Sequence, residues 1–293
     1  DFPGANTRMI LLLDRKSSTQ VEKKIEAFGN KIVRWDIATP TQREASVLLS
    51  ESELTGMEPE VRQDLKNVGV SLDAKLALAA SNRAINRAEE AMKRGFFEQE
   101  ITPYELSDGS IVSKDDGIRE GTTLEGVSQL NPVFRPNGTI TAGNACPLND
   151  GASAVVVMSD TRANELGIQP LARIVASGVS ALNPEIMGLG PIEACRQVLD
   201  RAGMQISDID LVEINEAFAV QVLGSADALG IDIEEQLNIN GGAIALGHPF
   251  GMTGSRIMTT LINSLQDSDK QFGLETMCVG GGQGMAMIIE RLS

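Results

Sequence analysis

Three short stretches carry the residue types that do chemistry. Cys278 closes an apolar run and is followed, one residue on, by Gly280-Gly281-Gly282. A thiol there faces open space, and the bare backbone beside it offers N–H groups to an anion. His248, the only histidine among 293 residues, lies in a glycine-rich stretch running from Gly241 to Gly254. Its neighbours Gly247 and Pro249 fix the backbone and expose the ring, and imidazole is the side chain best suited to proton work near neutral pH. Asn215 and Glu216 follow an apolar run ending at Ile214. That puts polar side chains at the carboxyl edge of a strand, where ligands bind in open α/β sheets.

Each of these residues also has a plainer role open to it. A cysteine at a strand end serves as a small hydrophobe, a lone histidine as a structural or merely exposed ring, and Asn215 as the cap of the next helix. The glycines serve equally as tight turns between strands and helices. Neither cluster has the G-x-G-x-x-G or Gly-Lys-Ser/Thr spacing of the nucleotide-binding loops. Cys146, Cys195 and Cys278 form neither a C-x-x-C metal pair nor a disulfide framework, so no metal is expected and a reducing compartment is.

The reactive residues need strands that end side by side and helices that hold the glycine loops. The run ASAVVVM at 152–158 predicts a strand covered on both faces. After it the pattern predicts helix 160–166, strand 171–177, helix 191–203, strand 210–214, helix 216–229, strand 236–240, helix 252–266, and strands 274–279 and 284–290. The alternation implies an α/β fold, a mixed sheet covered by helices on both faces, with an antiparallel hairpin at its end. Upstream, Asp73 can cap a long helix in which Leu78, Ile85 and Met92 recur among alanines until Gly95 stops it. Residues 100–140 are turn-rich, as a loop excursion over a surface would be. Strands at 9–13 and 31–37 flank a helix at 18–28 in a small β-α-β unit, and 38–70 carry no readable chemistry.

Composition narrows the classes further. Apolar residues at 42% and charged residues at 22% describe an ordinary globular chain, long enough for one large or two ordinary domains. The formal charge of −15 is spread along the sequence and repels nucleic acid and anionic membrane. A polyanionic ligand therefore needs local basic side chains or helix N-termini. The longest early apolar run, Met9 to Leu13, is too short for a membrane span. A cytoplasmic protein is the expectation. The first residue is Asp1 rather than Met, from which further residues upstream are expected.

NEAFA at 215–219, GGAIALGHPFGMTG at 241–254 and CVGGGQG at 278–284 resemble, in order, three signatures of the thiolase family. TAGNACPLNDGASAVVVMS at 141–159 resembles the family segment that lines the pantetheine of coenzyme A and enters the last strand of the N-terminal half. RGFFEQEI at 94–101 and the helix before it resemble the end of the family's CoA-binding loop domain. The resemblance implies a thiolase-like layered fold, with 71–140 as a loop-domain-like region and 141–293 as the C-terminal catalytic domain; it does not reach 1–70, which read as an α/β segment from their own pattern.

It also implies an acyl-CoA C-acyltransferase of fatty acid metabolism. Such an enzyme condenses acetyl-CoA or cleaves 3-ketoacyl-CoA by thiolysis, with the coenzyme A thioester as substrate and no permanently bound cofactor. By the same resemblance Cys278 is the acid/base at the α-carbon. His248 activates a separate nucleophilic cysteine and, with a water held by Asn215, stabilises the enolate oxyanion. The N–H of Gly280 serves a second oxyanion hole, and Cys146, Ala217 and Phe218 line the pantetheine site. A homodimer or tetramer is implied.

Two departures stand out. Cys146-Pro147 replaces the family's usual Ser-Gly, and residues 1–70, where a nucleophilic cysteine would be sought, contain no cysteine. Cys195 reads as a core residue of an amphipathic helix. The alternative is a catalytically silent thiolase-like subunit that binds acyl-CoA or complements a partner chain supplying the nucleophile.

Overall fold

The computed structural model describes residues 74–293 apart from Arg135 and Asn137. The β-α-β unit expected at 9–37 and the cap expected at Asp73 lie outside the described residues. The helices are α1 (Ala74–Lys93), α2 (Leu124–Ser128), α3 (Asp160–Leu166), α4 (Gly190–Ala202), α5 (Ala219–Leu229), α6 (Ala243–Leu246) and α7 (Thr253–Asp267). The strands are β1 (Tyr104–Glu105), β2 (Ile111–Val112), β3 (Ala172–Ala181), β4 (Leu211–Ile214), β5 (Phe272–Val279) and β6 (Gln283–Arg291).

Four strands form one mixed sheet in the order β3-β6-β5-β4. β4 and β5 run parallel, while β6 pairs antiparallel with both β5 and β3. Helices cover both faces, as expected. On one side Cys195 and Val198 of α4 and Val222 and Ala226 of α5 pack against Leu274 and Ile288 of the sheet. On the other, Leu261 and Leu265 of α7 meet Leu211 and Ile289. The inward residues of α7 fall at Thr253, Ile257, Thr260, Leu261, Ser264 and Leu265, the three-and-four spacing of a helix with one buried face.

α1 is long because alanine-rich sequence has high helix propensity, and it ends where Gly95 takes the left-handed conformation at φ 80. Its buried Ala77, Ile85, Ala88 and Ala91 pack onto Ala219, Val220, Ile244 and Ala245. Small side chains here let α1 come close to the loop that carries the histidine. Gly241 has no room for a Cβ, which would stand 2.6 Å from that of Ala88.

Three expectations need correction. Residues 152–158 form no strand, and Val156 and Val157 are 84% and 71% exposed. Their β-branched composition favours extended backbone, but a strand exists only where another supplies a hydrogen-bond ladder, and no described segment pairs with this one. The segment 236–240 contributes a single bridge, Val212 to Leu237. At Asn238, with φ 43, the chain turns away. Its side chain then completes the missing rung, accepting from Ile214 N and donating to Ile214 O. Finally, α5 begins at Ala219 rather than 216. A bridge from Ala145 to Phe218 and the bond from Cys146 N to Ala217 O hold the chain extended before it.

The start of α4 lies directly on the β5–β6 turn. A Cβ on Gly190 would stand 2.3 Å from the carbonyl oxygen of Gln283, against backbone that has no flexible end to yield. Gly190→Ala is therefore expected to destabilise the chain by about 1–3 kcal/mol, read as a lower urea midpoint with an unchanged slope.

Candidate active site

The parallel β4–β5 pair aligns Ile214 with Thr276. The next backbone bond, Asn215 N to Thr276 O at 3.0 Å, carries the pairing one step past β4. Asn215 and Cys278 thus stand at the same carboxyl edge of adjacent parallel strands, the edge where open α/β sheets take ligands. β5 then turns through Gly281 and Gly282, at φ 89 and 83, into β6. Nothing lies within 4 Å of where a Gly280 side chain would be, and the Gly280 carbonyl accepts from Gln283 Nε2 at 3.1 Å.

His248 reaches this edge from the loop after α6. Its Nε2 lies 3.5 Å from Nδ2 of Asn215, and its Nδ1 lies 2.6 Å from the hydroxyl of Thr253 at the head of α7. The Thr253 hydroxyl also points to the carbonyl of Pro249 at 3.4 Å. If that hydroxyl donates to the carbonyl, it accepts from Nδ1–H, and Nε2 is left as the lone pair facing the amide donor of Asn215. A neutral imidazole satisfies this arrangement and an imidazolium does not. Burial and, second, the nearby Arg256 cation push His248 down from 6.5 to about 4. Phe250 meets the ring edge to face at a centroid distance of 4.9 Å.

The Asn215 side chain is fully buried, and its Oδ1 has no hydrogen-bond partner among the described residues. A buried acceptor aimed at a reactive edge is unusual, because leaving it unpaired costs about 1–3 kcal/mol. Cys278 is 6% exposed, and burial holds its thiol protonated, with a pKa pushed up to about 12.

Cys146, Ala217 and Phe218 also come together through the backbone bond and bridge that straighten residues 216–218. Phe134 packs edge to face on Phe218 at 6.0 Å. Burial pushes the Cys146 thiol up to about 11. Cys195 is wholly buried on α4, its thiol pushed up to about 12 by burial, and lies in the core as expected.

Sequence reasoning passed over Thr253, Asn149 and Asn238, which hold this arrangement, and placed Glu216 at the strand edge without a partner. Thr253 fixes the histidine ring. Asn149 accepts from His248 N at 3.1 Å and fills the space where a Gly247 side chain would be. Glu216, buried, accepts from Asn238 Nδ2 and from Ile244 N, which anchors the glycine-rich loop at its start. Asn238 completes the β4 ladder. Thr253 and Asn149 both sit inside stretches already singled out, but only tertiary contact shows what they touch. Among the described residues no group of three or more His, Cys, Asp or Glu side chains is placed to hold a metal, and no helix is long and apolar enough to cross a membrane.

Residues 33–161 match the model of the thiolase N-terminal domain, and residues 168–291 match that of the thiolase C-terminal domain. The chain belongs to the thiolase family. It is 50% identical over 231 residues to the 3-ketoacyl-CoA thiolase of Cronobacter sakazakii, an alignment covering 76% of this chain and 59% of that protein. The 3-ketoacyl-CoA thiolase of Vibrio vulnificus is 49% identical over 230 residues, with the same coverage of 76% and 59%. Among solved structures, the acetyl-CoA acetyltransferase of Bacillus anthracis superposes with a TM-score of 0.73 at 40% identity, covering 78% of this chain and 59% of that one. Human mitochondrial 3-ketoacyl-CoA thiolase in complex with CoA superposes at 0.71 and 36% identity, covering 82% and 62%. The chain spans 59% of the length of the curated relatives it matches. The thiolase-like α/β fold expected from the sequence is the fold found.

The low histidine pKa fixes the sign of a pH effect. Stability contributed by the neutral ring is fully present above 6.5 and is lost as pH falls toward about 4. Urea midpoints of the unsubstituted chain and of His248→Gln, compared at about pH 7 and about pH 5, should show the larger acid-side loss in the unsubstituted chain.

Proposed function

We propose that this chain forms the greater part of an acyl-CoA C-acyltransferase, a thiolase that cleaves 3-ketoacyl-CoA with coenzyme A or runs the reverse Claisen condensation. The observation that carries the proposal is the Asn215–His248 pair at the carboxyl edge of β4, with the unpaired Oδ1 of Asn215 beside it and Cys278 at the end of the neighbouring strand.

On this reading, a nucleophilic thiolate attacks the 3-keto carbon, and the C2–C3 bond breaks with its electron pair passing to C2. The charge appears as a thioester enolate. Its oxygen lies against a water bound by Asn215 and against His248, whose Nε2 is the donor when the Thr253 hydroxyl donates to Nδ1 instead of to Pro249. Cys278 gives its proton to C2, releasing acetyl-CoA, and the buried protonated thiol is the form this step uses. Coenzyme A thiolate then removes the shortened acyl group from the nucleophile. Gly280 N–H serves as a donor to the oxyanion of that transfer.

Cys146, Ala217 and Phe218, joined through the extended segment before α5, form the wall along which the pantetheine of the acyl-CoA lies. The nucleophilic thiol is not among the three cysteines of this sequence. Cys195 is in the core, Cys146 belongs to the substrate wall, and no cysteine occurs in residues 1–145. A further segment or a partner chain supplies it. The same reading sets the protein in the cytoplasm, in fatty acid metabolism, as a homodimer or tetramer.

The test is loss of acetoacetyl-CoA in the presence of CoA, with and without a thiolase partner chain. Turnover should fall by about 10²–10⁴-fold in Cys278→Ala while CoA binding persists. Turnover equal in Cys278→Ala and the unsubstituted protein would remove Cys278 from the chemistry. CoA binding without turnover in every combination would leave the silent acyl-CoA-binding subunit as the correct reading.

A further inference from the structure

Beneath the reactive edge lies a buried group of charges that the proposed chemistry does not use. Glu213 on β4 and Glu275 on β5 are direct neighbours in the parallel pair, and both face α7. Between them and the histidine loop stands Arg256, one turn into α7. Its guanidinium lies 3.9 Å from the carboxylate of Glu213, and the two side chains are only 13% and 3% exposed. Neither terminal nitrogen of Arg256 has a hydrogen-bond partner among the described residues, nor has Oε2 of Glu275. At 3.9 Å without a hydrogen bond, the guanidinium acts mainly through its field. In a poorly hydrated core that field reaches further than it would in water.

We infer that Arg256 is a positioning residue for the Asn215–His248 pair, acting through Glu213 on β4 and Thr253 on α7. The connections are short in both directions. Glu213 is two residues before Asn215 on the same strand, so a carboxyl held beside the guanidinium steadies the strand end that carries the asparagine. Arg256 is three residues after Thr253, and the Thr253 hydroxyl holds Nδ1 of His248. Glu100 grips the same helix lower down, accepting from Thr260 and Asn263. One arginine on one helix face thus sets the height of the histidine against the asparagine.

The same residue governs the charge of the ring. A second cation is disfavoured near a guanidinium, and Arg256 stands, after burial, as the next cause of the lowered basicity of His248. The carboxylates around the arginine must not cancel its field. Burial pushes Glu213 and Glu275 above the ordinary carboxylate range, and Glu216, Glu100 and Asp115 are raised by burial in the same way. Glu213 and Glu275, both pushed up to about 8, keep their protons as the pH falls below neutral, so the guanidinium field is not cancelled and the imidazole beside it stays uncharged.

The inference rests on the reading of Asn215 and His248 as an oxyanion pair, but its test needs no turnover. His248 is the only histidine in 293 residues, so the Cε1–H signal of the labelled full chain reports it alone. The unsubstituted chain should titrate well below 6.5. Arg256→Met should raise the midpoint by about one pH unit or more, and Arg256→Lys, which keeps a cation, should largely restore it. Glu213→Gln together with Glu275→Gln should leave the midpoint low, because both carboxyls are pushed up to about 8 and are already uncharged where the ring titrates.

The contrast between the Met and Lys variants is the decisive sign, because mere loosening of the site would hydrate the ring and raise the midpoint in both. An unmoved midpoint in Arg256→Met, or equal shifts in the Met and Lys variants, overturns the inference. If Arg256→Met fails to fold, Arg256→Gln, which also removes the cation, takes its place in the same comparison. Loss of acetoacetyl-CoA turnover under all conditions, with these shifts intact, would count against the thiolase chemistry and not against the placement of Arg256.

Discussion

The backbone bond from Asn215 N to Thr276 O sets where everything else in the site stands. It continues the β4–β5 ladder beyond the last residue of β4 and so fixes the register of two strand ends that come from distant parts of the chain. Parallel pairing is what puts both carboxyl ends on one edge, since an antiparallel partner would have sent Cys278 to the opposite side. The ladder cannot run further because the chain must leave the sheet to present polar side chains. The asparagine side chain of Asn238 supplies the last rung where backbone no longer can.

Around that edge several polar groups are buried, and some are held by specific partners. Glu216 sits out of water because Asn238 Nδ2 and Ile244 N both donate to it. The loop after it is built on glycines for reasons of space. A Cβ on Gly242 would stand 2.3 Å from the Glu216 carboxyl carbon, and one on Gly247 would overlap the Asn149 amide. The glycine-rich stretch is thus a set of close approaches to polar side chains. The groups left without partners, Asn215 Oδ1 and the Arg256 guanidinium, lie at and beneath the histidine.

Much of this was legible in the sequence. Hydrophobic periodicity located α4, α7 and the β5–β6 hairpin to within a residue or two, because each buries one face or both and so carries its own pattern. His248, Cys278 and Asn215 were legible because glycine clusters and strand ends mark where polar groups meet open space. The failures share one cause. Residues 152–158 carry strong strand propensity but have no ladder partner, and 236–240 look extended until Asn238 turns. Propensity is local, and pairing is not.

The sequence by itself determined the family, the layered α/β fold and which side chains are the candidates for chemistry, because these follow from local pattern and from four ordered motifs. Only the tertiary structure decided how the side chains meet. The 3.5 Å approach of Asn215 to His248, the hydroxyl of Thr253 on Nδ1, and the arginine 3.9 Å from Glu213 all join residues that pattern cannot pair. Their energies depend on distance and on the exclusion of water, and neither exists until the chain is folded.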